Sequence, residues 1–311
     1  MHTKPKFDPA RDLPDLTGKV VLVTGGNSGI GYETVKVMLL KNATVYLAAR
    51  SLSKGNEAIA QLETETGKRA KFLELDLADL RTVRKAAEAF FEREERLDIL
   101  FNNGGVMIPP TDQLTAQGYD LQFGTNVLGH FFLTELLLPA LNASHTHTSV
   151  PARIINTSSA AHTNCPKPLI FFDTVKGGVK RDAQIKKWGK MMAPWTLYGA
   201  SKTANIIVAN HYAATCQSSV LVSCSLHPGI IQTGLQRTFP GPLKLIVNIT
   251  GSPAHVGAHN QLWAAVKASP GEINGRYFVP VGVQKTPSQI ATDVELGTEV
   301  IAYLKEAVRD F

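Results

Sequence analysis

Apolar and polar residues alternate along the chain in two rhythms. Short β-branched runs at Val20–Thr24, Thr44–Ala49, Lys71–Leu75, Ile99–Asn102, Arg153–Thr157, Val220–Leu226 and Gly275–Val279 have the length and composition of strands. Between them, Gly31–Lys41, Leu52–Thr66, Leu80–Glu94 and Gly118–Leu141 carry apolar residues at helical spacing. Strands separated by helix-length segments need crossover connections, so the pattern predicts βαβ units and a parallel sheet with helices on both faces. Right-handed crossovers then give a doubly wound α/β domain of Rossmann type, whose ligands gather beyond the carboxyl ends of the strands. No repeat or linker interrupts the pattern. Residues 18–311 read as a single domain, preceded by a polar, proline-punctuated surface arm at residues 1–17.

Composition narrows the class without changing the fold. Of 311 residues, 44% are hydrophobic and 19% charged, a balance that suits a folded soluble chain and argues against disorder. The richest apolar run, Phe131–Leu141, is broken by Thr134, Glu135 and Pro139, and falls short of the roughly 18 residues of a membrane span. Met1–Leu22 carries Lys, Asp, Arg and Pro where a secretory signal would be apolar. Cys165, Cys216 and Cys224 form no CxxC pair, so a reduced, cytoplasmic setting is expected. No HExxH spacing occurs among the nine histidines, and no metal site is expected. In that setting the glycosylation-like triplets Asn142-Ala-Ser144 and Asn248-Ile-Thr250 carry no weight. The net charge of +6 is diffuse except at Lys176, Lys180, Arg181, Lys186, Lys187 and Lys190. That cluster lacks interleaved aromatics and reads as a solvated loop rather than a nucleic-acid surface.

The first chemical signal lies where the strand Val20–Thr24 runs into Gly25-Gly26-Asn27-Ser28-Gly29-Ile30-Gly31 and a helix. Glycines permit a tight turn and a close backbone approach, while the helix amino end offers unpaired N–H groups to a pyrophosphate. An ordinary strand–helix turn uses glycines too. The strands on either side favour a dinucleotide site. A second signal is Tyr198 and Lys202, four residues apart in the helical stretch Thr196–His211, hence on one face and one turn apart. A phenol with a pKa near 10 is a poor acid–base catalyst near neutrality; a neighbouring ammonium should lower it.

Taken in order, Thr24-Gly25-x-x-x-Gly29-x-Gly31, Asp76-Leu77, Asn102-Asn103-Gly104-Gly105, Asn126, Ser158-Ser159, Tyr198-x-x-x-Lys202 and Pro228-Gly229 span most of the chain. This series resembles the short-chain dehydrogenase/reductase family, and within it retinol-dehydrogenase-like and fungal secondary-metabolism members. One departure is Gly104, where the family usually has Ala. The resemblance implies that a tyrosine, Tyr198, exchanges a proton with a carbonyl or carbinol oxygen while a nicotinamide exchanges hydride with its carbon. It implies that a serine bonds the substrate oxygen: Ser159, which precedes Ala160-Ala161, rather than Ser158, which should turn to the other face of its strand. Asn126 resembles an asparagine that holds a water linking the lysine to solvent, or else is a buried polar residue at a helical kink. The cofactor contacts implied are Gly25, Asn27, Ser28, Gly29 and Ile30 at the turn, Asp76 and Leu77 near the adenine, and Asn102 and Gly104 beside the adenosine ribose. Lys202 should also bind the nicotinamide ribose, with Tyr198 alongside, and Pro228, Gly229, Ile231 and Thr233 the carboxamide and pyrophosphate.

NADP(H) is expected rather than NAD(H). NAD-dependent relatives end their second strand on an Asp that binds the ribose hydroxyls, whereas Ala49 stands here, followed by Arg50, Ser51 and, one turn on, Lys54. The family's usual basic residue in the glycine turn is replaced by Ser28, so Arg50 must carry the preference. Two insertions, near 160–197 and 234–253, flank these positions. The first contains Cys165, Phe171, Phe172, Trp188, Met191, Met192 and Trp195, some of which should pack the segment down as core; the second, the apolar stretch Phe239–Val247. Both suit a bulky lipophilic ketone, aldehyde or alcohol, of retinoid, steroid, terpenoid or polyketide kind. The second could equally touch a membrane or a partner subunit, and a homodimer is compatible with the reading. Rival functions are a cofactor-sensing binding protein without turnover, and an epimerase or dehydratase of the same fold.

Overall fold

A computed structural model describes residues 7–232, 234 and 250–311. Its strands are β1 (Val20–Thr24), β2 (Thr44–Ala49), β3 (Lys71–Glu74), β4 (Ile99–Asn102), β5 (Ala152–Thr157), β6 (Leu221–Leu226), β7 (Tyr277–Val279) and β8 (Val283–Lys285). They form one eight-stranded sheet in the order β3-β2-β1-β4-β5-β6-β7-β8. All neighbours are parallel except β7 and β8, so the expected parallel sheet gains an antiparallel edge strand that the hydrophobic pattern did not reveal. Val283–Lys285 is exposed throughout, and without a buried face a strand leaves no alternation to read.

The helices explain why β1, β2, β4, β5 and β6 read as apolar runs: layers cover both faces of the sheet. On one side lie α1 (Gly29–Leu40), α2 (Leu52–Thr66) and a helix at Ala254–Leu262, packing Val35, Met38, Ile59 and Leu262 against the sheet. On the other lie α3 (Leu80–Phe91), α4 (Leu121–Thr148), α5 (Val179–Thr215) and a C-terminal helix at Val294–Val308. Phe90, Phe131, Leu137, Tyr212 and Val300 fill that core. Caps set several boundaries. Ser51 accepts from Lys54 N at the start of α2, Gly67 ends α2 in the left-handed conformation, and Asp79 caps α3.

Three expectations need correction. The arm at residues 1–17 is not merely a surface segment: Leu13 and Leu16 are buried in the core, and Lys41 Nζ donates to the carbonyls of Ala10 and Leu13. The apolar run at Phe131–Leu141 belongs to a longer helix, α4, that is long and apolar enough to cross a membrane by length and composition; 67% of its apolar window is buried inside the domain, as a core helix requires. The basic cluster is no loop, because residues from Lys180 to Lys190 lie on α5, which bends at Gly189 (φ 74°).

Arg181 of that cluster is also not solvated. Its Nη2 lies 2.7 Å from Asp120 Oδ2, with both side chains nearly inaccessible, and it donates to the Thr111 carbonyl at 2.6 Å. Asp120 in turn accepts from the backbone N–H groups of Gln122 and Phe123, at 3.0 Å each, and so caps α4. One carboxylate therefore pins the inserted start of α5 to the start of α4. Removing one member of a buried pair strands the other, at a cost of about 3–5 kcal/mol. Asp120→Ala should lose that much stability in urea unfolding, and Asp120→Leu combined with Arg181→Met should recover most of it. A loss under about 1 kcal/mol, the scale of a surface pair, would mean that Arg181 finds water instead.

Candidate active site

The chain order reverses across β1, whose neighbours β2 and β4 lie on opposite sides. Crossovers on either side of such a point leave a crevice beyond the strand ends. Each strand bordering it passes straight into a candidate segment: β1 into Gly25, β4 into Asn103, β5 into Ser158, β6 into His227. The glycine turn is closed by contacts that admit no side chain. A Cβ on Gly31 would lie 2.3 Å from the Gly25 carbonyl oxygen, and one on Gly25 would lie 2.9 Å from Gly104 Cα. Gly25 and Gly29 have φ of +65° and +54°, in the region that favours glycine. Ser28 makes no side-chain cap, which leaves the first N–H groups of α1 free of an intrachain cap. Asn27, Ser28, Gly29 and Ile30 are all at least partly exposed there. These features fit a bound pyrophosphate.

The Thr24 hydroxyl joins this turn to the next strand end. It accepts from Asn103 N at 3.0 Å and Gly104 N at 2.9 Å, and Asn103 Nδ2 donates back to the Thr24 carbonyl at 2.9 Å. The family's departure at Gly104 has a local account: a Cβ there would lie 3.2 Å from Leu77 Cδ1 and 3.3 Å from Thr24 Oγ1, tight on both sides. At the end of β2, Ala49 is buried while Arg50 is exposed and forms no ion pair among the described residues. Asp76 is partly buried, its Oδ1 accepting from Ala78 N at 3.0 Å.

Tyr198, Lys202, Ser159 and Asn126 converge. Tyr198 and Lys202 face the same way on α5, with Lys202 Nζ 5.7 Å from the Tyr198 ring centroid and donating to the Thr157 carbonyl at 2.8 Å. The Ser159 side chain lies beside the Tyr198 hydroxyl and accepts from Ala161 N at 3.2 Å. Ser158 instead donates to the Lys202 carbonyl at 2.7 Å, so it faces α5 rather than the far side of the sheet. Asn126 sits in a π-helical turn of α4, Gly124–Leu128. Its side chain accepts from Val106 N at 2.8 Å and donates to the Val106 carbonyl at 3.0 Å and to Ser201 Oγ at 3.1 Å. Gly105 must be glycine for this: a Cβ would lie 2.8 Å from Asn126 Oδ1.

Electrostatics depart from expectation. Burial pushes the Tyr198 hydroxyl up to about 12, with the adjacent Ser159 acting the other way, and pulls Lys202 down to about 7. Removal from water therefore outweighs the ammonium's pull on the phenol in the protein by itself. Other candidates go elsewhere. The Asn102 side chain is buried, donating to Thr134 Oγ1 at 3.1 Å and Asn156 Oδ1 at 3.0 Å, which leaves only backbone for the ribose contact assigned to it. Pro228 and Gly229 (φ +100°) follow β6, but Ile231 is buried against Ile30 and the position of Gly257. Thr233 and Phe239–Val247 lie outside the described residues. Phe171 is buried against Phe123 and Phe172 packs on Tyr303 at the edge of that core, while Met191 and Met192 are exposed and Trp188 and Trp195 partly so. Residues the sequence reading passed over are His130, which bonds both Thr24 Oγ1 and the Asn126 carbonyl, and Ser201. The one signal was the i,i+4 spacing of Asn126 and His130.

Comparison with known proteins gives a consistent picture. A family model described as short chain dehydrogenase matches residues 19–181. A short-chain dehydrogenase/reductase of Armillaria gallica is 44% identical over 308 residues, covering 99% of this chain and 96% of the relative. Retinol dehydrogenase 11 of Homo sapiens is 38% identical over 223 residues, 71% of this chain and 64% of that protein. The Pseudomonas aeruginosa RhlG/NADP active-site complex superposes with a TM-score of 0.64 at 23% identity, over 86% of this chain and 96% of that one, a likeness of fold.

The depressed Lys202 gives a pH test. Its folded value near 7 lies below the ordinary 10.5, so between those limits the unfolded chain binds the extra proton. Its contribution to stability therefore grows as pH rises above 7 and is absent below. From pH 6 to 9, without added cofactor, the urea midpoint of wild type should climb more steeply than that of Lys202→Met. Parallel curves would mean that Lys202 keeps its ordinary proton affinity when buried.

Proposed function

The chain belongs to the short-chain dehydrogenase family, and from that premise we propose an NADP(H)-dependent oxidoreductase that interconverts a bulky lipophilic ketone or aldehyde and its alcohol. What supports the chemistry most is the convergence of Tyr198, Ser159 beside it and Lys202 one helical turn away, with Lys202 Nζ 5.7 Å from the Tyr198 ring centroid. In the reductive direction Tyr198 gives its hydroxyl proton to the substrate oxygen, and Ser159 donates a hydrogen bond to that same oxygen. A hydroxyl held near 12 keeps its proton at neutral pH, which suits a donor. Lys202, steadied by the Thr157 carbonyl, accepts and returns protons near its value of about 7 and holds ribose hydroxyls. Asn126 fixes the Val106 backbone and Ser201 around them. The cofactor, when bound, supplies or accepts the hydride.

The glycine turn with Asn27, Ser28, Gly29 and Ile30 would hold the pyrophosphate, and Arg50 a 2′-phosphate. In support, Arg50 is exposed with no competing ion pair among the described residues, and Ala49 brings no carboxylate to repel that phosphate. The RhlG structure, a relative in fold, is a complex with NADP. A lipophilic substrate is supported by the exposed Met191 and Met192 in the insertion preceding Tyr198 and by the similarity to retinol dehydrogenase 11. The three free cysteines suit the cytoplasm.

Tyr198→Phe should lower kcat for a bulky lipophilic ketone by about 10²-fold or more, with the Kd for NADPH within a few-fold of wild type. Retention of over a tenth of the rate would rule out Tyr198 as the proton donor. Arg50→Ala should raise the NADPH Kd at least about tenfold and leave NADH nearly untouched, since a charge-assisted contact is worth about 1.5–3 kcal/mol. Fluorescence titration measures both. Wild type binding NADH as tightly as NADPH would overturn the cofactor assignment.

A further inference from the structure

The buried group that the chemistry above leaves unused is His130, on α4 one turn after Asn126. Its ring touches two functional segments and nothing exposed: Nδ1 lies 3.0 Å from the Asn126 carbonyl oxygen, and Nε2 lies 2.8 Å from Thr24 Oγ1. A carbonyl can only accept, so Nδ1 carries the hydrogen. Burial holds the ring neutral, down to about 4, so with the hydrogen on Nδ1 the bare Nε2 is placed to accept from the Thr24 hydroxyl. That hydroxyl already accepts from Asn103 N and Gly104 N, so its one hydrogen is shared between Nε2, at 2.8 Å, and the Phe101 carbonyl oxygen, at 3.1 Å. The Asn126 carbonyl, which can only accept, is the partner that sets the tautomer.

The chain of bonds runs on. Asn126, held by His130 at its carbonyl, uses its side chain to grip Val106 and to donate to Ser201 Oγ, and Ser201 donates to the Tyr198 carbonyl at 2.8 Å. A continuous path therefore leads from the turn at the end of β1 to the helix carrying Tyr198 and Lys202. Each link is buried or partly buried, so water does not compete freely for it. A histidine that merely filled space would need neither bond, and an apolar side chain of its size would do.

We propose that His130 is a positioning residue that locks the glycine turn to the Asn126 turn, and so keeps the cofactor cradle and the Tyr198–Lys202 pair in one relative placement. This rests on the oxidoreductase reading given above. The two ends of the ring serve different halves of the site. Nε2 steadies the cofactor turn through Thr24, and Nδ1 steadies the catalytic side through Asn126.

Conservative variants separate the halves. His130→Asn keeps an N–H near the Nδ1 position and loses the acceptor for Thr24. His130→Gln keeps an acceptor near the Nε2 position and loses the donor to Asn126. His130→Asn should raise the NADPH Kd about fivefold more than it lowers kcat, and His130→Gln should do the reverse, fivefold being the worth of one hydrogen bond. Parallel changes in kcat and Kd in both variants, or a change in unfolding midpoint alone, would overturn the proposal. Tyr198→Phe run in the same assay separates the two readings: if it stays active, the oxidoreductase reading fails, whereas an inactive Tyr198→Phe with parallel His130 variants removes the His130 proposal only. Should either variant fail to fold, nitrogen-15 spectra of wild type decide independently. His130 should be neutral and protonated on Nδ1 from pH 6 to 8, and protonation on Nε2 would overturn the proposal.

Discussion

Everything in this molecule hangs on the parallel pairing of β1 between β2 and β4. Parallel neighbours bring their carboxyl ends to one edge, and the reversal of strand order across β1 keeps crossover helices from covering that edge. Turns rather than strand interiors then carry the candidate chemistry, because only a strand end lets backbone N–H groups and side chains face a ligand. The Thr24 hydroxyl extends the constraint: with two backbone donors from the β4 turn on one oxygen, the two strand ends cannot move apart independently.

The site is also a place where burial dominates charge. Taking Tyr198 and Lys202 out of water drives both toward their neutral forms, the phenol up and the amine down. Pairs of titratable groups whose environments shift them strongly are a mark of functional sites, although structural networks can do the same. The fold carries such a network as well. Asp98, beneath the amino ends of β1 and β4, takes bonds from Lys19, the Val20 N–H and Ser144, at the end of the sheet opposite the candidate site. The buried carboxylate at that end holds elements together, while the buried amine at the crevice lies beside the catalytic tyrosine proposed here.

Side-chain destinations were the part least legible in sequence. Asn102 stands in a motif that points to the cofactor, yet it turns inward to Thr134 and Asn156, because successive residues of a strand face opposite ways and neither face is marked by polarity when both are buried. Phe171 and Phe172 could have been substrate wall or core, and they pack with Phe123 and Tyr303, partners far away in sequence. Arg181 stood among lysines that remain in solvent; only Asp120, distant in sequence, distinguishes it. The choice of Ser159 over Ser158 came from motif order, and in the fold the Ser158 hydroxyl is given to the Lys202 carbonyl.

From the sequence by itself came the alternation of strand and helix, the glycine turn, the family resemblance and the four residues proposed to carry the chemistry. These follow from periodicity, local backbone requirements and short spacings, which operate within a few residues of one another and are written directly in the chain. Tertiary structure alone decided that burial rather than a neighbouring ammonium governs Tyr198, that β8 closes the sheet antiparallel, and that His130 joins Thr24 to Asn126. Desolvation, edge pairing and a bond between residues a hundred positions apart depend on which surfaces the folded chain brings together, and no local pattern encodes that.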